Sequence, residues 1–316
     1  MPQDLVNEIA KTINAAIERF EKSLPEAQEV SMREIELLLK DLELSQSRLK
    51  PNAANLRTIG KIKQKLEVAI LNEGYLKAVE ELIGDFRKIS KLQTRYFHSL
   101  VTKFNAPKLL KELQKQSITA AIESLTGAGV DTNLVQPIQD ILRQNITTGG
   151  IFSELTKTVR EFIVGNLETV GHLERYVKQI ANDALSQYAA QYLQVVAADL
   201  GLVWFRVVGA EIETTRDYCE ATLDKRFIHR SEFEDLIRGN FPEFKAIDGK
   251  INSKTGLPRG MIAGTKPENL QIYRGGWNCG HQYVPVAEAA VPKKLRLEVY
   301  KSRGIMFDGK GFALAA

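Results

Sequence analysis

Through its first 200 residues the chain repeats apolar side chains every three or four positions, and at Leu202 the texture changes abruptly. A spacing near 3.6 residues gathers apolar positions on one helical face, and a chain that sustains it this long folds as packed helices. The stripe opens with Leu5, Ile9, Ile13, Ile17 and Phe20. Pro25 is expected to start a second helix carrying Val30, Ile35, Leu38 and Leu39. Pro51-Asn52 marks a turn, with Asn52 placed to cap the next helix. From about 53 to 104 two helical arms parted at Gly74 read as an antiparallel hairpin, or equally as a coiled-coil-like spacer.

Pro107 begins another helix, and Thr126-Gly127-Ala128-Gly129 stops it. Asp131 or Thr132 is expected to cap a short helix through Leu142. Thr147-Thr148-Gly149-Gly150 then precedes a helix holding Phe152, Leu155, Val159, Phe162 and Ile163. The clearest helix carries Val177, Ile180, Ala184, Tyr188, Tyr192 and Val195 and stops at Gly201. No sheet is expected before residue 200.

Beyond that point Leu202–Val208 is β-branched and aromatic, and Gln282–Val286 alternates like a strand. One short strand cannot bury itself, so the two are expected in one small sheet, which would bring Cys219 near Cys279 and His281. Ser231 is expected to cap a short helix with Phe233, Leu236 and Ile237. The stretch from Pro242 to Gly276 is long for a simple connector. The expected class is mainly α with a small α+β C-terminal module, in four segments. Residues 1–105 form a helical docking region and 106–200 a further helical part. Residues 201–290 form the α+β module, and 291–316 a basic, then apolar, tail ending in Gly309-Lys310-Gly311-Phe312-Ala313-Leu314.

The balance of 43 Lys+Arg against 39 Asp+Glu, a net of +4, is too small for the whole chain to act as a nucleic-acid polycation. No apolar run approaches the ~18 residues that span a bilayer. The opening MPQDLVNEIAKTI lacks the apolar core of a signal peptide. Production in the cytosol with reduced thiols is expected.

The two cysteines and a histidine lie in Thr214-Thr215-Arg216-Asp217-Tyr218-Cys219 and Gly275-Gly276-Trp277-Asn278-Cys279-Gly280-His281. Thiolates and imidazole suit zinc, with His229 the one fourth ligand nearby in sequence, although the spacing is not a CxxC pair. A Cys219–Cys279 disulfide, or two small buried thiols beside a hydrogen-bonded histidine, accounts for the same residues. No nucleophile–base–orienter set can be assembled around Cys219, and no catalytic residue is assigned. Neither a cofactor nor turnover is expected. Lys245, Lys250, Lys254, Arg259, Lys266 and Arg274, interleaved with Tyr273 and Trp277, could hold phosphates and stack bases, or form a solvated loop.

The order of these motifs resembles a known family. Thr147-Thr148-Gly149-Gly150 precedes a helix, and Asn182-Asp183-Ala184-Leu185-Ser186-Gln187-Tyr188 runs into a strand and Gly209. Next come Thr215-Arg216-x-x-Cys219, a loop, and Gly275-Gly276-Trp277-Asn278-Cys279-x-His281. Over roughly residues 108–288 this is similar to the Mu F-like minor head proteins, the head-morphogenesis family of tailed bacteriophages. In that family an arginine usually stands where this chain has Gly280, so its contact is absent here or supplied by Arg274.

The resemblance implies a virion component of the phage head, made in the host bacterial cytoplasm. It implies a few copies bound to the portal protein, to other head proteins and to packaged DNA, with no membrane, and a part in head assembly and DNA packaging or delivery. Two other functions fit the residues. One is a phage-carried nuclease or transferase-type effector using Arg216, His229 and His281; the other is a DNA-binding module at 245–274.

Overall fold

The structure, a computed structural model, describes residues 2–307 and 312–314. Gly309-Lys310-Gly311 of the expected tail lie outside the described residues. The fold is mainly α with a small α+β module after residue 200. The order is α1 (Pro2–Leu39), β1 (Leu44–Ser45), β2 (Arg48–Leu49), α2 (Ala53–Ile70), α3 (Glu73–Leu100), α4 (Leu109–Thr126), α5 (Ala128–Val130), a π-helical turn (Asp131–Val135), α6 (Gln136–Thr147), α7 (Phe152–Ile163) and α8 (His172–Asp199). Then come β3 (Trp204–Val208), α9 (Asp217–Lys225), β4 (Phe227–His229), a 3-10 turn (Arg230–Glu232), α10 (Phe233–Ile237), α11 (Pro242–Ala246) and α12 (Leu270–Tyr273). β5 (Gln282–Val286), a 3-10 turn (Glu288–Ala290), α13 (Lys293–Arg303), β6 (Ile305–Phe307) and β7 (Phe312–Leu314) complete the chain. Among the described residues no helix is long and apolar enough to cross a membrane.

The chain forms two compact units that are interleaved in sequence. One comprises residues 13–87 and 115–184. Its core combines Phe20, Leu24, Met32, Ile35 and Leu39 of α1 with Ile59, Ile62 and Leu66 of α2 and Leu134, Ile138, Leu142 and Ile146 around α6. Three of its polar groups are paired across the sequence. Tyr75 donates to the Leu125 carbonyl at 2.8 Å, Gln28 to the Ile163 carbonyl at 3.0 Å, and Arg19 pairs with buried Asp85.

The other unit comprises residues 1–12, 88–114 and 185–316. Its sheet has the order β4-β3-β5, antiparallel throughout, with Trp204 between His229 and Val286 and Val207 opposite Tyr283. Alternation along β3 sends Phe205 and Val207 to one face and Trp204 to the other. The first face packs with Tyr218, Cys219, Phe233, Phe241, Cys279 and Tyr283. Trp204 packs with Val291, Val299 and Tyr300, donating to the Tyr300 hydroxyl at 2.9 Å. Tyr96 donates to the Pro285 carbonyl at 2.6 Å.

Several local expectations are corrected. α1 runs unbroken through Pro25, whose exposed ring removes one backbone donor while Leu24, Ala27, Gln28 and Ser31 stay buried beside it. Continuous burial of that stripe outweighs the helix-breaking cost of a single proline, about 3 kcal/mol. The break between α2 and α3 falls at Leu71-Asn72, before Gly74, because the Asn72 side chain accepts from the Tyr75 amide. Asp131 and Thr132 lie inside the π-helical turn rather than capping a helix. A two-residue ladder, β1–β2, stands where no sheet was expected. His229, not Ser231, caps the turn before α10. Ile9 and Ile13 are buried and Leu5 and Ile17 half-buried, so the N-terminal stripe is covered by the chain itself and is not an open docking face. Asn52 does cap α2, accepting from the Asn55 amide at 2.8 Å.

Candidate functional site

Cys219 sits in the first turn of α9, and Cys279 and His281 lie in the turn that leads into β5. Because β5 pairs with β3 from Val208↔Gln282 onward, His281 is delivered to the end of the sheet. α9 packs on β3, which brings its first turn to the same end. Sixty residues of sequence thus close on one point: the sulfurs of Cys219 and Cys279 stand 3.8 Å apart, and His281 Nδ1 is 3.7 Å from the Cys279 sulfur. Both thiols are free, and the three side chains are 3%, 2% and 8% exposed respectively.

Arg216 is the residue that locks the two segments together. It is the N-cap residue of α9, and its guanidinium donates to the carbonyls of Gly275 at 3.1 Å and Trp277 at 2.8 Å. Two parallel N–H donors on one rigid plane suit a pair of carbonyls in a tight turn. The two glycines there are required by contact. A Cβ on Gly275 would stand 2.1 Å from the Cys219 sulfur. One on Gly276, where φ is +107°, would stand 1.9 Å from the Gly260 carbonyl oxygen. Behind the cysteines the Tyr218 and Tyr283 hydroxyls share a hydrogen bond of 2.7 Å.

Arg274 is 1% exposed and donates to the Ser186 carbonyl at 2.9 Å. It is an internal cation and is withdrawn from the basic surface to which the sequence assigned it. Together with a hydrogen bond from Cys219 and one from His281, its charge holds the Cys279 thiol well below the usual range, the Cys219 bond being the largest cause. Cys219 is pushed the opposite way, first by sharing its proton with Cys279 and then by burial. The two thiols are thus driven in opposite directions by the hydrogen bond between them. Both sulfurs are buried.

His229 is not part of the cluster. Its ring packs edge-on against Trp204 and Tyr300, and its Nδ1 accepts from the Ser231 amide at 3.2 Å. The expected fourth zinc ligand is thereby corrected: the grouping of possible metal ligands among the described residues is Cys219, Cys279 and His281. Thr215 is half-buried and its hydroxyl accepts from the Ile212 amide at 2.8 Å. Trp277 is 48% exposed.

Of the basic loop, Lys245, Lys250, Lys254, Arg259 and Lys266 are exposed. Lys245 donates to Asn240 at 2.5 Å, and Lys250 pairs with Asp248. Sequence reasoning missed the internal role of Arg274 and the backbone acceptor at Ser186. An arginine in a lysine-rich loop carries no local sign of burial. No family model, curated protein or solved structure matches the chain.

Proposed function

We propose that this chain is a minor structural protein of a tailed-phage head, bound to the portal and head interior, acting in head assembly and DNA packaging or delivery. The observation that carries this is the meeting of the two motif segments through Arg216 and the cysteines. Those are the residues on which the resemblance to the Mu F-like family rests, and they form one structural node. A node of buried groups with a backbone-clamping arginine stabilises a module that binds other proteins; it does not need turnover. Portal protein, other head proteins and packaged DNA are the proposed partners, and several copies per head the proposed stoichiometry.

The test is co-expression with a tailed-phage portal protein, then size-exclusion chromatography and mass spectrometry of purified heads. The chain should co-elute with the portal and appear in heads at a few copies. Its absence from heads, together with no portal complex, would reject the proposal.

A further inference from the structure

We propose that Cys219, Cys279 and His281 bind a zinc ion, with water as the fourth ligand. Two of the three separations are close to those of a coordination shell. Zinc at about 2.3 Å from sulfur and about 2.0–2.1 Å from nitrogen sets tetrahedral edges of about 3.8 Å between sulfurs and about 3.5 Å between sulfur and nitrogen. The observed edges are 3.8 Å for Cys219–Cys279 and 3.7 Å for Cys279–His281 Nδ1, with all three ligand atoms within 4.8 Å of one another. Two sulfurs and an imidazole select a borderline-soft ion such as zinc over calcium or magnesium, which take oxygen.

His281 faces the same point from within the fold. It is nine-tenths buried, its Nδ1 points at Cys279, and its Nε2 has no hydrogen-bond partner. An imidazole whose Nδ1 faces a buried thiol is placed to ligate a metal that the thiol also holds. Gly275 leaves the room the sulfurs occupy, and Arg216 holds the 275–277 turn in register with α9. On binding, each thiol that is still protonated releases its proton to solvent. Two thiolates then balance the dication, and the imidazole binds as a neutral ligand. Among the described residues no fourth His, Cys, Asp or Glu joins the group, which leaves the last position to water.

This inference is independent of the head-protein proposal. It is tested on the full chain, kept reduced and purified without chelators or a metal-affinity tag. Elemental analysis should find about one zinc per chain, the occupancy a single site implies. Cobalt(II) added to the stripped chain should give the thiolate-to-cobalt charge-transfer band. Cys279→Ser should lose both signals. Gly275→Ala should lose most of the metal while keeping all three ligands, because its methyl group displaces the Cys219 sulfur. If either variant misfolds, the cobalt titration of the unaltered chain decides. A reduced, folded chain that carries no zinc and gives no cobalt–thiolate band overturns the proposal.

Discussion

At Arg216 a single side chain ties two segments that are distant in sequence. Two charge-assisted bonds end on backbone carbonyls of the 275–277 turn, and only a planar guanidinium reaches both. Arg216→Ala is expected to destabilise the fold by about 2 kcal/mol, within the range for hydrogen bonds to charged groups. Arg216→Lys should recover less than half of it, as read by urea denaturation; full recovery by lysine would show that the charge alone matters. His229 makes the second residue-level prediction. Burial lowers its pKa from 6.5 to about 4, and the neutral ring is the acceptor that caps the Arg230–Glu232 turn. The unfolded chain therefore binds a proton between about pH 6.5 and 4 that the native chain refuses, so stability falls as pH is lowered through that window. His229→Asn keeps a capping side chain but cannot titrate. Its denaturation midpoint should fall less steeply between pH 7 and 4.5 than that of the unaltered chain, and equal slopes would contradict the assignment.

Among the elements, α1 shows burial overriding local propensity. Pro25 sits mid-helix on the exposed side, between turns whose inward residues are wholly buried. Replacing it with alanine restores a backbone donor and removes the ring's clash with the preceding turn. Pro25→Ala should raise stability by about 1–2 kcal/mol, less than the full proline penalty because proline also restricts the unfolded chain. Calorimetry showing a lower midpoint for Pro25→Ala would mean that the proline shapes the helix in a way the packing requires. The β3–β5 pairing is the opposite case: strand texture alone located both partners, because β-branched and aromatic residues in a short buried run favour a strand.

For the molecule as a whole, α1 decides what can be removed. Val6 and Ile9 belong to one compact unit and Phe20, Leu24, Met32, Ile35 and Leu39 to the other, all buried. Removing a single buried leucine costs about 2–5 kcal/mol, comparable to the stability of a whole domain. Deleting residues 1–50 should therefore leave a chain without cooperative thermal unfolding, with reduced helical circular dichroism. A sharp transition at an unchanged midpoint would show that the C-terminal module folds without α1. In that case the N-terminal segment would be free to serve as a separate docking element.

The sequence by itself determined the helical character of the first 200 residues, the Asn52 cap, the two strands and the convergence of Cys219, Cys279 and His281. Each rests on periodicity or side-chain chemistry that acts over a few residues, or on the rule that a lone strand needs a partner. What the tertiary structure decided rests on burial that neighbours in sequence do not reveal. It carried α1 through Pro25 and covered the stripe of Ile9 and Ile13. It added β4, whose three residues are too few to show a pattern. It turned His229 away from the cysteines toward Trp204, and drew Arg274 out of a lysine-rich loop into the interior beside Ser186. Whether a polar or apolar residue faces solvent depends on which distant segment packs over it, and that is set by the sum of long-range contacts.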